Sequence, residues 1–232
     1  MQTPVPPNPG GFPVLYGVGA ESINRRVLIV GGAAAALAAT PAGAQARRPS
    51  ATLSWRGSAT MVTPTGPIEL IVQTELSLPE LSVRSSSWLA AEGPGTTRTL
   101  LIEPGGAWVE RGGARQPLPA AMAAHERQQF ALYAYLWLVQ LGDAPAAGVL
   151  DLAEPGYPPV RLTIGGEGLP SAAWLSVDAL EAGRPPIAER ALFTDWSAAP
   201  QRGRGLRWPQ HILIEQDGRR WFDLRIEQFR AE

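Results

Sequence analysis

Most of the chain after residue 50 alternates hydrophobic and polar residues with a period of two. Such alternation is typical of β-strands that bury one face and expose the other. Turn residues separate the alternating segments, and the last two are joined by Asp217-Gly218, a strong hairpin signal. The pattern predicts an antiparallel sheet of about ten strands. The segments are 52–61, 67–78, 82–90, 97–103, 107–111, 115–118, 148–153, 160–164, 172–177, 188–196, 211–216 and 219–229.

Residues 118–142 break this alternation and predict the one long helix after residue 50. Their sequence is LPAAMAAHERQQFALYAYLWLVQLG, which is rich in good helix formers. Pro119 suits the first helical position, and Gly142 followed by Pro145 supplies a stop signal. Residues 130–139 carry no charge, and at helical spacing their large side chains point in almost every direction. A helix that is apolar on all sides is buried on all sides.

An antiparallel sheet of this size curls rather than staying flat. A curled sheet with a buried helix predicts a mainly β fold with few helices. We expect a strongly curved antiparallel sheet that forms an incomplete half-barrel, with the helix plugging the concave face. The apolar space between sheet and helix would be a natural cavity for a hydrophobic ligand.

The N-terminal region has the pattern of an export signal. Arg25-Arg26 precede an apolar run over residues 27–39, and Ala44-Gln45-Ala46 match a small-residue cleavage site. The run is too short to span a bilayer. We therefore predict an N-terminal extension and signal peptide over 1–46, cleaved after about Ala46, and a single domain over 47–232 in the periplasm. Two arginines alone are weak evidence for twin-arginine export, so general secretion is favoured.

The same stretch has a second interpretation as a nucleotide-binding loop. Residues 27–35, VLIVGGAAA, resemble a strand that runs into a glycine-rich dinucleotide loop. Such a loop needs an acidic residue about 20 positions later to bind a ribose hydroxyl. Between Glu21 and Glu69 the chain has no Asp or Glu. The signal peptide is therefore the favoured interpretation.

Composition excludes several classes of function. The chain is 45% hydrophobic and 18% charged with a formal net charge of −1, which does not indicate a nucleic-acid partner. The chain has no Cys, which excludes disulfides, a thiolate nucleophile and Cys-ligated metals. All the basic residues except His are Arg, which we attribute to genomic base composition.

No motif predicts catalysis, a cofactor or a metal. His125-Glu126 begins like a zinc-binding helix, but residue 129 is Gln, so the second ligand is missing and we expect a solvated His125. His211, at the start of a strand, is expected to be an exposed or hydrogen-bonded edge residue. No G-x-S-x-G or Ser-x-x-Lys motif occurs. We predict a non-enzyme with no cofactor; a cryptic hydrolase using His211 or Asp195 is a third hypothesis.

Tryptophan is abundant, with eight residues, most of them on predicted strands. These side chains either build the core or line a cavity for an acyl chain or apolar peptide, and the pattern leaves both interpretations open. The candidate cavity-lining residues are Trp55, Arg56, Trp88, Trp108, Phe130, Tyr133, Leu136, Trp137 and Trp174.

An ordered set of residues in the C-terminal half is similar to a known superfamily. Phe193-Thr194-Asp195-Trp196 is followed by Gly205-Leu206-Arg207-Trp208-Pro209 and then by Asp217-Gly218. Upstream, Gly105-Gly106-Ala107-Trp108-Val109-Glu110 precedes the helix, as a glycine-and-tryptophan strand does in that superfamily. Over about residues 51–230 the chain resembles the LolA/LolB-like periplasmic lipoprotein carriers, as a divergent member.

The resemblance implies an unclosed antiparallel barrel with helices on its concave face. Carriers of this superfamily hold lipoprotein acyl chains there and pass them between membranes. They typically begin with an amphipathic helix, for which the four residues Arg47 to Ser50 leave no room. Arg56 is the nearest candidate for the arginine that gates ligand entry in the superfamily.

Two main hypotheses follow for the function. In the first, the protein is a soluble periplasmic carrier of a lipid, a lipoprotein acyl chain or an apolar peptide. In the second, it is a non-catalytic envelope scaffold of the same fold whose core is filled by its own side chains. The expected partners are the hydrophobic ligand or lipoprotein and an envelope protein, and we expect a monomer that does not span the membrane.

Overall fold

The computed structural model describes residues 50–142, 147–198 and 206–232. These residues contain twelve strands, one α-helix and a 3-10 turn at Pro94–Thr96. The strands are β1 (Ala51–Thr63), β2 (Gly66–Leu78), β3 (Ser82–Leu89), β4 (Arg98–Glu103), β5 (Gly106–Arg111), β6 (Ala114–Pro117), β7 (Gly148–Leu152), β8 (Val160–Ile164), β9 (Pro170–Val177), β10 (Ile187–Trp196), β11 (Pro209–Gln216) and β12 (Arg219–Ala231). The helix α1 is Ala120–Leu141.

All twelve strands are antiparallel neighbours in a single sheet. The order is β6-β5-β4-β3-β2-β1-β12-β11-β10-β9-β8-β7, so the chain forms two six-strand meanders that meet at the β1–β12 pair. The outermost strands, β6 and β7, are not paired with each other. The sheet is therefore open, and α1 leads from one edge strand to the other.

Each strand buries alternate residues, as a period of two requires. On β2 the buried side chains are Leu70, Val72, Thr74, Leu76 and Leu78, and the residues between them are more exposed. The two-residue hairpin predicted at Asp217-Gly218 is present, Gly112-Gly113 forms another, and all four residues have positive φ. Positive φ at both central positions is what a tight hairpin requires.

The helix is buried on all sides in its second half, as its composition predicts. Residues 131–137 are all buried, and they join one hydrophobic core with the inward-facing strand residues. Pro119 is the N-cap residue, with φ −54° and ψ 146°, and does not occupy the first helical position as expected. The extended ψ fits because the N-cap residue precedes the helical backbone.

A β-bulge between Arg56 and Gly57 shifts the register of β1 against β12. Beside it the two backbones approach closely, since a Cβ on Gly57 would lie 1.9 Å from the Arg225 carbonyl oxygen. On the other side of the bulge Trp55 pairs with Phe229, so both rings face the core. The bulge thus explains why Phe229 is offset by one position from the alternation of β12.

The predicted fold class is confirmed: an open, curved antiparallel sheet with one helix on its inner face. The sheet has twelve strands rather than about ten, and each of the twelve alternating segments corresponds to one strand. The predicted N-terminal extension and signal peptide over 1–46, the Pro145 stop and Gly205 lie outside the described residues. The division into 1–46 and 47–232 stays a prediction.

Candidate functional site

Five aromatic side chains meet where α1 crosses the middle of the sheet. We call them the aromatic cluster: Trp55, Phe130, Tyr133, Trp208 and Phe229. The ring centroids of Trp208 and Phe229 are 4.5 Å apart and nearly parallel, at 5°. Tyr133 lies 4.8 Å from Trp55 and 6.4 Å from Trp208, again between ring centroids. Such offset contacts add to the stabilisation that burial alone provides.

The structure brings five of the nine predicted cavity residues together on the inner face. Trp55, Tyr133, Leu136 and Trp137 are buried, and half-buried Phe130 packs against the same core. These side chains pack into the hydrophobic core beneath α1. Their role in binding a ligand stays a prediction.

The other four predicted cavity residues lie on the outer face of the sheet. Strand alternation places them opposite the core positions beside them in sequence, such as Ala107 next to Trp108 and Leu175 next to Trp174. Three Arg–Trp pairs form there, with guanidinium carbons 4.2 to 5.9 Å from ring centroids. These four residues cannot line the inner face, and they are Arg56, Trp88, Trp108 and Trp174.

A buried carboxyl group lies beneath the first half of α1. Glu189 on β10 is only 2% exposed, and its Oε2 accepts hydrogen bonds from Gln129 Nε2 at 2.8 Å and Gln216 Nε2 at 3.3 Å. We call Glu189, Gln129 and Gln216, together with His125 and Glu126, the polar cluster. It connects the helix to β10 and β11 in an otherwise apolar interior.

The prediction that His125 is solvated is wrong. His125 is 2% exposed, and its Nδ1 lies 2.6 Å from the backbone carbonyl oxygen of Asp178. A carbonyl only accepts, so Nδ1 donates and carries the proton. Next to it, Gln128 Nε2 donates to the Asp178 carboxylate at 3.0 Å. The first half of α1 is thus attached to the end of β9 by hydrogen bonds rather than facing water.

Burial alters the acidity of the polar cluster. It raises the pKa of the Glu189 carboxyl, because the charged form loses its hydration, although Gln129, Gln216 and His125 partly offset this effect. Burial likewise raises the pKa of half-buried Glu126, which Arg98 and His125 partly offset. The pKa of the Tyr133 phenol is also raised, first by burial and second by the Glu189 charge. The interior therefore favours the neutral form of these groups.

Two buried polar atoms at the contact between sheet and helix have no hydrogen-bond partner within the described chain. They are Glu189 Oε1 and Trp208 Nε1. An unpartnered buried polar group costs about 1–3 kcal/mol, so most native interiors avoid it. The polar cluster and the aromatic cluster each contain one of these atoms, and both clusters contact α1.

Our sequence predictions do not include Glu189, Gln129 or Trp208 as site residues, although the sequence carries a signal for the first two. A period of two places Glu189 on the same strand face as Ala191 and Phe193, which are core positions. Helical spacing of four likewise aligns Gln129 with Tyr133. A charged residue on an apolar strand face was therefore the available signal. Trp208 precedes β11, where no periodicity applies.

His211 lies on the outer face within a short hydrogen-bonded chain. Its Nε2 is 2.8 Å from Asp223 Oδ1, and its Nδ1 is 3.1 Å from Thr194 Oγ1. The hydrogen-bonded state of His211 agrees with expectation, but β11 lies between β10 and β12, so the predicted edge position is wrong. Both ring nitrogens are occupied and Arg220 lies 3.7 Å from Asp223, so the group links β10, β11 and β12.

Among the residues that the structure describes, no group of three or more His, Cys, Asp or Glu side chains is placed to hold a metal ion. The polar cluster supplies one carboxyl with an unpartnered oxygen, two amides and one histidine whose Nδ1 is committed to a carbonyl. Carboxyl and amide groups of this kind suit hydrogen bonding to a carbonyl or hydroxyl group.

Comparison with known proteins gives a distant likeness of fold. No protein-family model and no curated protein sequence matches the chain. The fold is similar to the crystal structure of a domain assigned to an outer membrane lipoprotein-sorting protein from Vibrio parahaemolyticus. The TM-score is 0.44 with 7% identity, over 78% of this chain and 85% of that chain. Within the described parts of the chain, no helix is long and apolar enough to cross a membrane.

Proposed function

We propose that the protein is a non-catalytic binding protein of the cell envelope. It takes a hydrophobic ligand between the open sheet and α1, and the ligand class is a lipid, a lipoprotein acyl chain or an apolar peptide. The predicted export signal and the motif resemblance in the C-terminal half support the periplasm as its location. Carriage of a ligand through that compartment is the role proposed for it.

The observation that carries this proposal is the pair of unpartnered polar atoms under α1. A core built only for stability satisfies its buried polar groups, and departures from that rule concentrate at functional sites. Glu189 Oε1 and Trp208 Nε1 both lie where sheet and helix meet. The indole of Trp208 donates a hydrogen bond, and the Glu189 carboxyl donates one when it is protonated. An ester or amide carbonyl at the polar end of an apolar ligand would satisfy either donor.

The open edges of the sheet support the same proposal. Strands β6 and β7 are unpaired with each other, and α1 leads across the inner face between them. The first half of α1 is attached by polar contacts, such as Gln128 to Asp178 and Gln129 to Glu189. Hydrogen bonds of this kind contribute only about 0.5–1.5 kcal/mol each. The first half of α1 can therefore separate from β9 and β10 at a smaller cost than separation of a packed apolar face.

The self-filled scaffold is the second candidate, and the aromatic cluster favours it. Trp208 and Phe229 stack at 4.5 Å between ring centroids, and Tyr133 packs between Trp55 and Trp208. A dense aromatic interior needs no ligand to complete it. The two candidates differ in whether α1 must move for binding to occur.

A bridged variant tests whether ligand enters under α1. The chain has no Cys, so Gln128→Cys with Asp178→Cys gives one pair that a short bifunctional thiol reagent can join. The probe is N-phenyl-1-naphthylamine, whose fluorescence rises in apolar surroundings. The matched control joins Thr60→Cys and Glu69→Cys, a hydrogen-bonded pair on neighbouring strands away from α1.

We expect the unbridged variants to bind the probe and the helix bridge to weaken binding by about tenfold or more. The control bridge should leave binding unchanged. If the helix bridge leaves the affinity for the probe unchanged, the binding site does not lie under α1. No binding by any variant would favour the self-filled scaffold.

A further inference from the structure

A second concave region lies on the outer face of the sheet, remote from the aromatic cluster. It has a volume of about 740 Å³ and is formed by β7, β8, β9 and the loop after β7. Its lining includes Val149, Trp174 and Pro159 together with Asp151, Arg161 and Thr163. We call it the outer groove. Its volume is within the usual range for ligand sites, about 300–1,000 Å³.

The outer groove holds an unusual share of the exposed apolar surface. Among the described residues, four large hydrophobic side chains are exposed, and two of them line this groove. Val149 is 63% exposed and Trp174 is 38% exposed. An exposed indole in a concavity is a platform for stacking, because it combines a large flat apolar face with one polar edge.

The charges around Trp174 are fixed in a row across the sheet. Register pairs Asp151 with Arg161, Arg161 with Trp174, Trp174 with Arg190, and Arg190 with Glu215. Arg161 binds Asp151 through Nε at 2.7 Å and Nη2 at 3.2 Å, and Arg190 Nη1 lies 3.4 Å from Glu215 Oε2. Each arginine beside the indole is thus held by an acid on its far side.

The paired charges of Asp151 and Arg161 leave the outer groove with free hydrogen-bond donors and acceptors but without a net charge. The Asp151 and Arg161 charges cancel within the groove, so neither an anion nor a cation is specifically attracted. Each carboxylate oxygen accepts more than one hydrogen bond, and the guanidinium has five donors, of which two are used here. Thr163 and Ser176 add hydroxyl groups to the lining. The groove therefore offers a flat apolar platform beside paired donors and acceptors.

We propose that the outer groove binds a neutral saccharide, with one pyranose ring stacked on Trp174 and its hydroxyls bonded to Asp151 and Arg161. A pyranose has an apolar C–H face and a rim of hydroxyls that both donate and accept. That chemistry matches an indole beside a fixed carboxylate–guanidinium pair. A purely apolar ligand would leave the ion pair desolvated and unsatisfied, which is costly. The shallow outer face also suits an extended chain of sugar units.

The test uses the indole N–H signals of the purified, nitrogen-15-labelled protein. The probes are maltotriose, cellotriose and chitotriose, which are neutral and differ in linkage and N-acetylation. The variant Trp174→Leu removes the stacking platform and keeps apolar bulk. The matched control Trp108→Leu removes another outer-face tryptophan that is paired with an arginine.

We expect at least one trisaccharide to shift the Trp174 indole signal saturably. The affinity should fall by about tenfold or more in Trp174→Leu, followed through the remaining shifted signals, and stay unchanged in Trp108→Leu. Asp151→Asn, which keeps the shape and breaks the charge pair, should weaken binding in the same direction. The six indole signals of residues other than Trp108 and Trp174 serve as the check that each variant is folded.

Three results would overturn the proposal. The first is no shift with any of the three sugars at concentrations up to their solubility. The second is binding that survives Trp174→Leu. The third is a Trp174 shift produced only by an extended apolar peptide, which would assign the groove to a protein partner through the edge strand β7. The helix-bridge test of the proposed function is independent, because α1 does not line this groove.

Discussion

Glu189→Gln is the substitution that most directly tests the electrostatics under α1. The carboxyl is 2% exposed, and both amide donors reach the same oxygen, Oε2. A glutamine places its carbonyl oxygen in that position and accepts from Gln129 and Gln216 unchanged. Its amino group then occupies the position of Oε1 without a charge to desolvate.

The direction of the effect follows from the raised pKa of Glu189. A carboxyl whose pKa is raised on folding binds its proton more tightly in the fold than in the unfolded chain. Its contribution to stability is fully present below the ordinary value of 4.5 and is lost as pH rises through the folded value. Burial raises the pKa of Glu126 too, which adds to the same slope.

Each unit of pKa difference corresponds to about 1.4 kcal/mol between the two protonation states. The cost that separates the two side chains at high pH is desolvation of the ionised carboxyl, which an uncharged amide avoids. We therefore expect Glu189→Gln to raise the free energy of unfolding by about 1–3 kcal/mol at pH 8. At pH 4 both side chains are neutral, so the difference should fall below about 1 kcal/mol.

The assay is urea unfolding from pH 4 to pH 8, followed by tryptophan fluorescence. The control is Glu181→Gln, an exposed acid that pairs with Arg184 in the loop after β9. The control should keep the wild-type slope of stability against pH, while Glu189→Gln should flatten it. Two results would refute the reasoning. One is a slope of stability against pH in Glu189→Gln that equals the wild-type slope. The other is a stability difference between variant and wild type that is less favourable to the variant at pH 8 than at pH 4.

Further predictions concern packing and the β-bulge. Gly57→Ala should lower the free energy of unfolding by about 3 kcal/mol or more, because the new methyl group overlaps a backbone carbonyl at 1.9 Å. Gly95 has open space around it, so Gly95→Ala should change the free energy of unfolding by less than about 0.5 kcal/mol. Equal effects of the two substitutions in urea unfolding would contradict this prediction. Trp55→Ala should cost about 3–5 kcal/mol because Trp55 is buried in the aromatic cluster, whereas half-exposed Trp108→Ala on the outer face should cost far less. His125→Ala should cost about 1–3 kcal/mol by leaving the Asp178 carbonyl without its donor, which a thermal-shift measurement against the wild type would check.

The fold was largely predictable because period-two alternation and turn residues are local signals. Asp217-Gly218 and Gly112-Gly113 mark their hairpins directly, since both need positive φ at consecutive residues. The uncharged second half of α1 likewise indicates burial on all sides. The end-to-end order of the sheet follows from consecutive hairpins, apart from the β1–β12 pair, which no local signal indicates.

The candidate site was only partly predictable, because a strand pattern does not state which face is the inner one. Residue type alone predicts a cavity position for Trp88, Trp108 and Trp174, but their positions along the strands place them on the outer face. Counting positions along each strand from a neighbouring core residue distinguishes these three tryptophans, which face outward, from Trp55, which faces the core.

The polar cluster required information that composition does not carry. His125 and Gln129 lie in the first half of α1, whose polar and charged residues predict exposure to solvent. Their burial follows from the partners that distant parts of the chain supply, namely Glu189 on β10 and the Asp178 carbonyl after β9. Hydrogen bonds to distant parts of the chain, rather than the polarity of the local sequence, thus decide whether these side chains are buried.

Native mass spectrometry of the protein isolated from an envelope extract without detergent tests the central claim most directly. If α1 and the open sheet enclose a hydrophobic ligand, the intact protein should carry a bound apolar species that organic solvent removes. Adducts should persist in Trp174→Leu, because this substitution alters only the outer groove. They should diminish in the Gln128→Cys, Asp178→Cys variant when its two cysteines are bridged before the protein is exposed to the extract. A bare polypeptide mass in every preparation would contradict the account and leave the self-filled scaffold.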